Sequence, residues 1–249
     1  MVKDLSRPKI LGVIPARLDS KRLPGKILRP VLGVPMLVYV YTRAGRSELL
    51  DDLIVATESE EVFRFCSQNG LKVLMTSRHP SGTDRIHEVM GKVPADVYVN
   101  IQGDEPMITP DQLRLMLQPF FEDPSVQVTT LKTPITTGEA LDPNNVKVVT
   151  DKAGKALYFS RFPIPYDRDD TGRIPYFKHI GLYAYTRQAL DWFHARPPSM
   201  LEQAERLEQL RFLENGMAIH VVETPDNTIG VDTERDFTLV EQYFQANPL

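Results

Sequence analysis

The sequence predicts an α/β fold with a mostly parallel central sheet and a smaller hairpin-containing subdomain. Three observations predict it. Short apolar runs alternate with stretches of helical periodicity through the first half of the chain. The segments joining those runs are long enough for crossover helices, which parallel strands require. The second half changes to short strand-like segments bounded by turn residues, as around Asp151–Lys155. With 249 residues, 42% of them hydrophobic and 25% charged, the chain can bury a core without staples.

The elements follow in order. Ile10–Ile14 is an apolar strand closed by Pro15. Pro35–Arg46 opens on proline and carries Met36, Val40 and Arg43 at helical spacing. Asp52–Thr57 is a second strand, and Glu58–Gln68 a helix stopped by Asn69-Gly70. Lys72–Met75 is a third strand, and Ser81–Met90 a helix with Ser81 or Thr83 as its cap. Asp96–Ile101 is a fourth strand and Thr109–Phe121 a further helix. Val126–Lys132 alternates like a strand with one exposed face, and Val146–Thr150 with Ala156–Ser160 forms a hairpin over a glycine turn. Residues 161–178 read as loop, His179–Thr186 as a strand and Gln188–His194 as a short helix. Leu201–Leu213 reads as one charged helix, Ala218–Glu223 as a strand and Glu234–Gln245 as the closing helix. The expected organisation is one domain over 1–249, with residues 126–178 as an inserted β-rich subdomain and dimer contact.

Composition mostly excludes. A single cysteine rules out an internal disulfide and a cysteine-rich zinc site. That Cys66 sits among Val62, Phe63 and Phe65 and reads as core. No run approaches the length of a membrane span, and Met1–Lys9 has no apolar signal core, so a cytoplasmic protein is expected. A net charge of −4 argues against a nucleic-acid binder. The average hides one exception. Arg17, Lys21, Arg22, Lys26 and Arg29 face a single acid, Asp19, within 13 residues. That loop follows the first strand, and ligands of open α/β sheets bind beyond the carboxyl ends of strands. Gly25 lets the backbone approach a ligand, and Arg17, Arg22 and Lys26 suit phosphate.

Two carboxylates fall in similar places. Asp104 follows the fourth strand in Gln102-Gly103-Asp104-Glu105-Pro106, where it could ligate Mg²⁺ or simply shape a turn. Asp232 in Gly230-Val231-Asp232-Thr233 could be a second metal carboxylate, or it or Thr233 could cap the last helix.

Taken together, these segments resemble the 3-deoxy-manno-octulosonate cytidylyltransferases, also called CMP-Kdo synthetases. The resemblance rests on Ile14-Pro15-Ala16-Arg17, Lys21-Arg22-Leu23-Pro24-Gly25-Lys26, Ser81-Gly82-Thr83-Asp84-Arg85 and Asn100–Pro106. It continues through Asn144–Val148, Tyr158–Arg161, His179–Tyr183, Leu207–Arg211 and Gly230–Thr233, in the family's order and over nearly the whole chain. It implies a GT-A-like (Rossmann-like) nucleotidyltransferase, a homodimer that uses Mg²⁺. Its expected substrates are CTP and a 3-deoxy-octulosonic acid, and its product serves lipopolysaccharide synthesis.

The resemblance also implies roles. Arg17, Arg22 and Lys26 would hold the CTP phosphates, with Lys26 nearest the reacting one. Ala16, Ser81, Gly82, Arg85 and Gln102 would surround the cytidine, and Asp104 and Asp232 would hold Mg²⁺. Arg168, His179, Tyr183, Glu208 and Gln209 would bind the sugar acid, types that suit a carboxylate and hydroxyls. For His179 a buried structural histidine is the competing reading, and for Glu208 a solvated helix face or a pair with Arg211. Tyr166 stands where a tryptophan is common in the family, and the segment between Arg168 and His179 is short. Both features bear on the sugar. An 8-amino-8-deoxy sugar, favoured by Asp167, Asp169 or Asp170, and another 2-keto-3-deoxy acid remain alternatives. A non-catalytic nucleotide-binding regulator is the third.

Overall fold

The computed structural model describes residues 7–18, 23–169 and 171–248. They divide into two compact units, one of 1–114 with 228–249 and one of 115–227. The first unit begins with strand β1 (Ile10–Pro15), a single 3₁₀ turn (Lys26–Leu28) and the small hairpin β2 (Pro30–Val31) and β3 (Val34–Pro35). Helix α1 (Met36–Ala44), strand β4 (Asp52–Thr57), α2 (Glu60–Gln68), β5 (Val73–Met75), α3 (Gly82–Lys92) and β6 (Val97–Asn100) follow. Helix α4 (Pro110–Glu122) leads into the second unit.

Four strands of the first unit run parallel in the order β6-β1-β4-β5, beside the separate antiparallel hairpin of β2 and β3. β1 is central and apolar throughout, buried from Ile10 to Ile14, as a strand covered on both faces must be. The expected α/β class and mostly parallel central sheet are therefore present. The expected Ser81 cap is present, its hydroxyl accepting from the Asp84 N–H at the head of α3, and α2, expected from Glu58, starts at Glu60 with Ser59 accepting from the Val62 N–H.

The second unit contains β7 (Val128–Ile135), α5 (Thr137–Ala140), β8 (Lys147–Thr150), β9 (Ala156–Ser160), β10 (Tyr176–Thr186), α6 (Arg187–His194), α7 (Met200–Glu205), α8 (Leu210–Glu214) and β11 (His220–Glu223). β7 pairs with β11 in parallel and with β10 antiparallel. β10 pairs with β8, which forms the expected hairpin with β9 over Gly154 in the left-handed region. The chain then returns to the first unit and ends in α9 (Glu234–Ala246).

Two expectations fail here. The 161–178 loop ends early, because β10 starts at Tyr176, where its pairing with β7 begins at Ile135. Leu201–Leu213 is two helices, because Arg206 takes a left-handed conformation (φ 55°) that ends α7. The physical reason is a buried ion pair. Arg211 grips Glu202 in a bidentate pair along one guanidinium edge, Nη2 to Oε1 at 2.6 Å and Nε to Oε2 at 2.7 Å. In a continuous helix these residues would stand about 13 Å apart along the axis. The break folds the second helix back so that they meet. Arg211 thus commits two of its donors to Glu202.

Candidate functional site

In the first unit the candidates gather around Lys26. β1 delivers buried Ala16 and exposed Arg17 just beyond its carboxyl end, where the Ala16 N–H donates to the Ala56 carbonyl at 2.9 Å. Gly25 has φ 68°, the turn that starts the 3₁₀ segment and aims Lys26 inward. The Lys26 ammonium donates to Asp104 Oδ2 at 2.5 Å, to the Val231 carbonyl at 2.7 Å and to Asp232 Oδ1 at 2.9 Å. Burial works against its charge, but the Asp104 and Asp232 carboxylates outweigh that cost, and its pKa is raised above the usual lysine value.

Three local devices bring the two acids together. The Val231 N–H donates to the Asp104 carbonyl at 2.8 Å. Gly230 leaves room for Glu105, since a Cβ there would stand 3.0 Å from Glu105 Oε1. Thr233 forms the capping box of α9 with Asp236. The cap is therefore Thr233, and the Asp232 carboxylate faces Lys26. Arg29 is also engaged, with Glu234 at 2.6 Å and over the Phe237 ring at 4.0 Å. Two of the five cations in the basic loop are thus matched by acids of the same unit. Arg22 and Lys21 lie outside the described residues.

The cytidine candidates sit at the head of α3 and the end of β6. Ser81 caps α3 and donates to Asp84 at 2.7 Å. A Cβ on Gly82 would come 3.6 Å from the buried Asn100 amide. Gln102 is half-buried in the turn after β6. Arg85 differs from its expected setting. It is fully buried, bonds Thr76 Oγ1 at 2.5 Å and pairs with Glu58 at 2.5 Å. Burial lowers its pKa against the pull of Glu58, and the Arg17 charge lowers it further, which places Arg17 within electrostatic reach. Glu58 escaped the sequence reading, although its position just past β4 was an available signal.

The sugar candidates belong to the second unit. β10 and β7 shift register between Ile180 and Tyr183. This bulge sets the side chains of His179 and Tyr183 beside each other, with ring centroids 5.3 Å apart. Thr130 anchors it, because its buried hydroxyl donates to the Leu182 carbonyl at 2.7 Å and lies 3.1 Å from His179 Nε2. No motif marks Thr130 in the sequence. Tyr183 Oη and Gln209 Nε2 are buried without a hydrogen-bond partner of good geometry, so both are available to a polyhydroxylated ligand. The charge of Glu208 acts on Tyr183, whose pKa is raised first by burial. Gln209 and Glu208 lie in the turn between α7 and α8. Among the described residues, no hydrogen bond or ion pair joins exposed Arg168 to this group. Asp167 spends its carboxylate on the Thr171 hydroxyl and the Gly172 N–H of its own loop, and Asp170 lies outside the described residues.

His179 is a half-buried neutral histidine, with its pKa pushed down to about 3 by desolvation of the ring and then by the Lys178 charge. Its unfolded counterpart takes up a proton below about pH 6.5, so its contribution to stability is complete above that pH and is lost as pH falls towards 3. His179→Gln should therefore flatten the loss of stability on acidification. Urea titrations at pH 7 and 5 should show wild type losing about 2 kcal/mol more than the variant; equal losses would refute the assignment.

The donor set around Lys26 fits a divalent cation. Two carboxylates that reach one nitrogen can reach one metal ion, and Mg²⁺ takes one or two carboxylates plus phosphate oxygens and water. Among the described residues, no group of three or more His, Cys, Asp or Glu side chains assembles for a metal held by protein alone. Two carboxylates leave the remaining positions of such an ion to water or other oxygen ligands.

Residues 11–219 match the Cytidylyltransferase family model. The chain is 54% identical over 239 residues to the 3-deoxy-manno-octulosonate cytidylyltransferase of Koribacter versatilis, covering 96% of this chain and 91% of the relative. It is 55% identical over 239 residues to the enzyme of that name from Acidobacterium capsulatum, covering 96% and 97%. It also resembles the solved structure of CMP:2-keto-3-deoxy-manno-octonic acid synthetase complexed with CTP, with 44% identity and a TM-score of 0.91, covering 96% of this chain and 99% of that one.

Proposed function

Because the chain belongs to the cytidylyltransferase family, we infer that it transfers CMP from CTP to the anomeric hydroxyl of 3-deoxy-manno-octulosonate and releases pyrophosphate. The observation that carries this reading is the convergence of Lys26, Asp104 and Asp232 beyond the carboxyl ends of parallel strands. The anomeric hydroxyl attacks the α-phosphorus in line with departing pyrophosphate. Such a displacement asks the protein for positioning and charge neutralisation more than for covalent chemistry.

We assign the roles as follows. Arg17 and Arg22 hold phosphate oxygens, and Lys26 neutralises charge developing on the α-phosphate. Ala16, Ser81, Gly82 and Gln102 surround the cytidine, with Arg85 fixed behind them by Glu58 and Thr76. Asp104 and Asp232 would hold Mg²⁺, which would supply Lewis-acid polarisation and lower the pKa of the attacking hydroxyl. Tyr183, Gln209, Glu208 and neutral His179 meet sugar hydroxyls, and Arg168 meets the carboxylate. Cys66 takes no part as nucleophile, since burial pushes its thiol up to about 11.

A homodimer belongs to the same reading. Its support is that Leu157, Phe162 and Tyr166 of the 126–178 stretch are exposed. Among the described residues no helix is long and apolar enough to cross a membrane, in keeping with the cytoplasmic placement we propose. Pyrophosphate release from CTP, measured over a panel of 3-deoxy-2-keto sugar acids with and without Mg²⁺, tests the whole. The expected result is turnover with 3-deoxy-manno-octulosonate that vanishes without divalent cation. Turnover with only the 8-amino-8-deoxy sugar would reassign the substrate, and none with any sugar would favour a non-catalytic nucleotide-binding protein.

A further inference from the structure

Lys26 is asked to do two things that one conformation cannot supply. The reading above needs its ammonium on a phosphate oxygen, yet here it sits buried between Asp104 and Asp232 with the Val231 carbonyl completing its shell. All three donor directions of an ammonium have acceptors within 3 Å, so nothing is left over for a phosphate. The two carboxylates are the groups that fit a divalent cation. We propose that the Lys26 ammonium and the divalent cation compete for the same carboxylate pair, so that nucleotide and metal binding are positively coupled through this one side chain. The inference rests on Asp104 and Asp232 being the metal ligands.

The argument is one of charge balance. Two carboxylates close enough to share one nitrogen repel each other unless a cation lies between them. Without substrates Lys26 is that cation, and its placement in the 3₁₀ turn after Gly25 holds it there. A divalent ion arriving alone must displace the ammonium from both of its counter-charges, Asp104 and Asp232. A triphosphate offers the ammonium a second set of anionic acceptors. Once Lys26 moves to them, the carboxylates need a new cation, and the nucleotide oxygens add ligands to it. Each ligand therefore tightens the other by the same factor, as linkage requires. The coupling follows from residues of this chain alone.

The test is metal binding without nucleotide, read by the electron paramagnetic resonance signal of free Mn²⁺ titrated into the full chain. Lys26→Met removes the charge and keeps the length. The expected result is Mn²⁺ affinity about tenfold or more higher in Lys26→Met than in wild type, while Lys26→Arg, which keeps a cation, stays weak. Equal or weaker binding in Lys26→Met would overturn the competition. Adding Asp104→Asn to Lys26→Met should abolish the gain. If the double variant binds as tightly as Lys26→Met, the metal lies elsewhere and the metal assignment itself falls, a failure distinct from the first. Should Lys26→Met fold poorly, wild type gives the same answer. The ¹⁵N signal of the Lys26 ammonium, held by three acceptors, should change when Mg²⁺ saturates the nucleotide-free protein. An unchanged signal at saturation would also overturn the proposal.

Discussion

Asp104→Asn is expected to lower kcat by about three orders of magnitude or more, with the protein still folded. The substitution keeps the size of the side chain and removes only its charge. Asp104 is half-buried, and its carboxylate is held by Lys26 while its backbone carbonyl is held by Val231. An amide leaves the backbone bond intact, so the 230–232 segment stays docked. It removes one of the two anionic ligands of the proposed metal and one of the two counter-charges of Lys26. A thousandfold loss corresponds to about 4 kcal/mol of transition-state stabilisation, within the several kcal/mol a catalytic metal supplies. KM for CTP should change less than kcat, because the phosphate contact proposed for Arg17 and the base contacts proposed around Ser81 and Gly82 would remain, leaving only the coupling through the carboxylate pair to weaken nucleotide binding. Steady-state kinetics beside circular dichroism checks both halves. Near-normal turnover in a folded Asp104→Asn protein would remove the metal assignment.

How much of this site could be read in the sequence differs from residue to residue. Asp104 and Ser81 were readable because their signals are local: a carboxylate at a strand end, a serine before a helical run. Asp232 against Thr233 was not decidable locally, since either residue type caps helices. The Thr233–Asp236 capping box makes Thr233 the cap, and the long-range bond from Lys26 shows where the Asp232 carboxylate goes instead. The basic loop was visible as charge but not as partnership. Lys26 and Arg29 meet acids more than 75 residues away in sequence, Asp104, Asp232 and Glu234, so the loop's local excess overstates the charge it offers a ligand. Arg85 shows the same limit from the other side, because its burial against Glu58 is a consequence of how α3 packs. Thr130 had no signal at all, as one of several strand threonines made special by a bulge on the neighbouring strand.

Glu202→Gln is expected to destabilise the protein by about 3–5 kcal/mol, the usual cost of leaving one partner of a buried ion pair uncompensated. Both side chains are nearly inaccessible, and the pairing uses both carboxylate oxygens. The Glu202 Oε2 also accepts from the Ser199 N–H at 3.0 Å, closing the capping box that starts α7. A glutamine offers one oxygen, and its amide hydrogens would face the Arg211 guanidinium donor to donor. Arg211 would keep its place over the Phe193 ring and its bond to the Arg196 carbonyl, so its charge would stay buried without an anion. For a chain of this size the cost should appear as a fall in Tm of roughly 6–20 °C. The same pair folds α8 back on α7 and so shapes the turn that carries Glu208 and Gln209. KM for the sugar acid should therefore rise at temperatures where the variant is still folded, while KM for CTP stays near wild type. Replacing both partners by methionine separates charge from shape, since an apolar pair of similar volume leaves no buried charge. Glu202→Met with Arg211→Met should recover most of the lost stability. A Glu202→Gln protein that melts within a degree or two of wild type would show that the pair does not hold the break between the two helices.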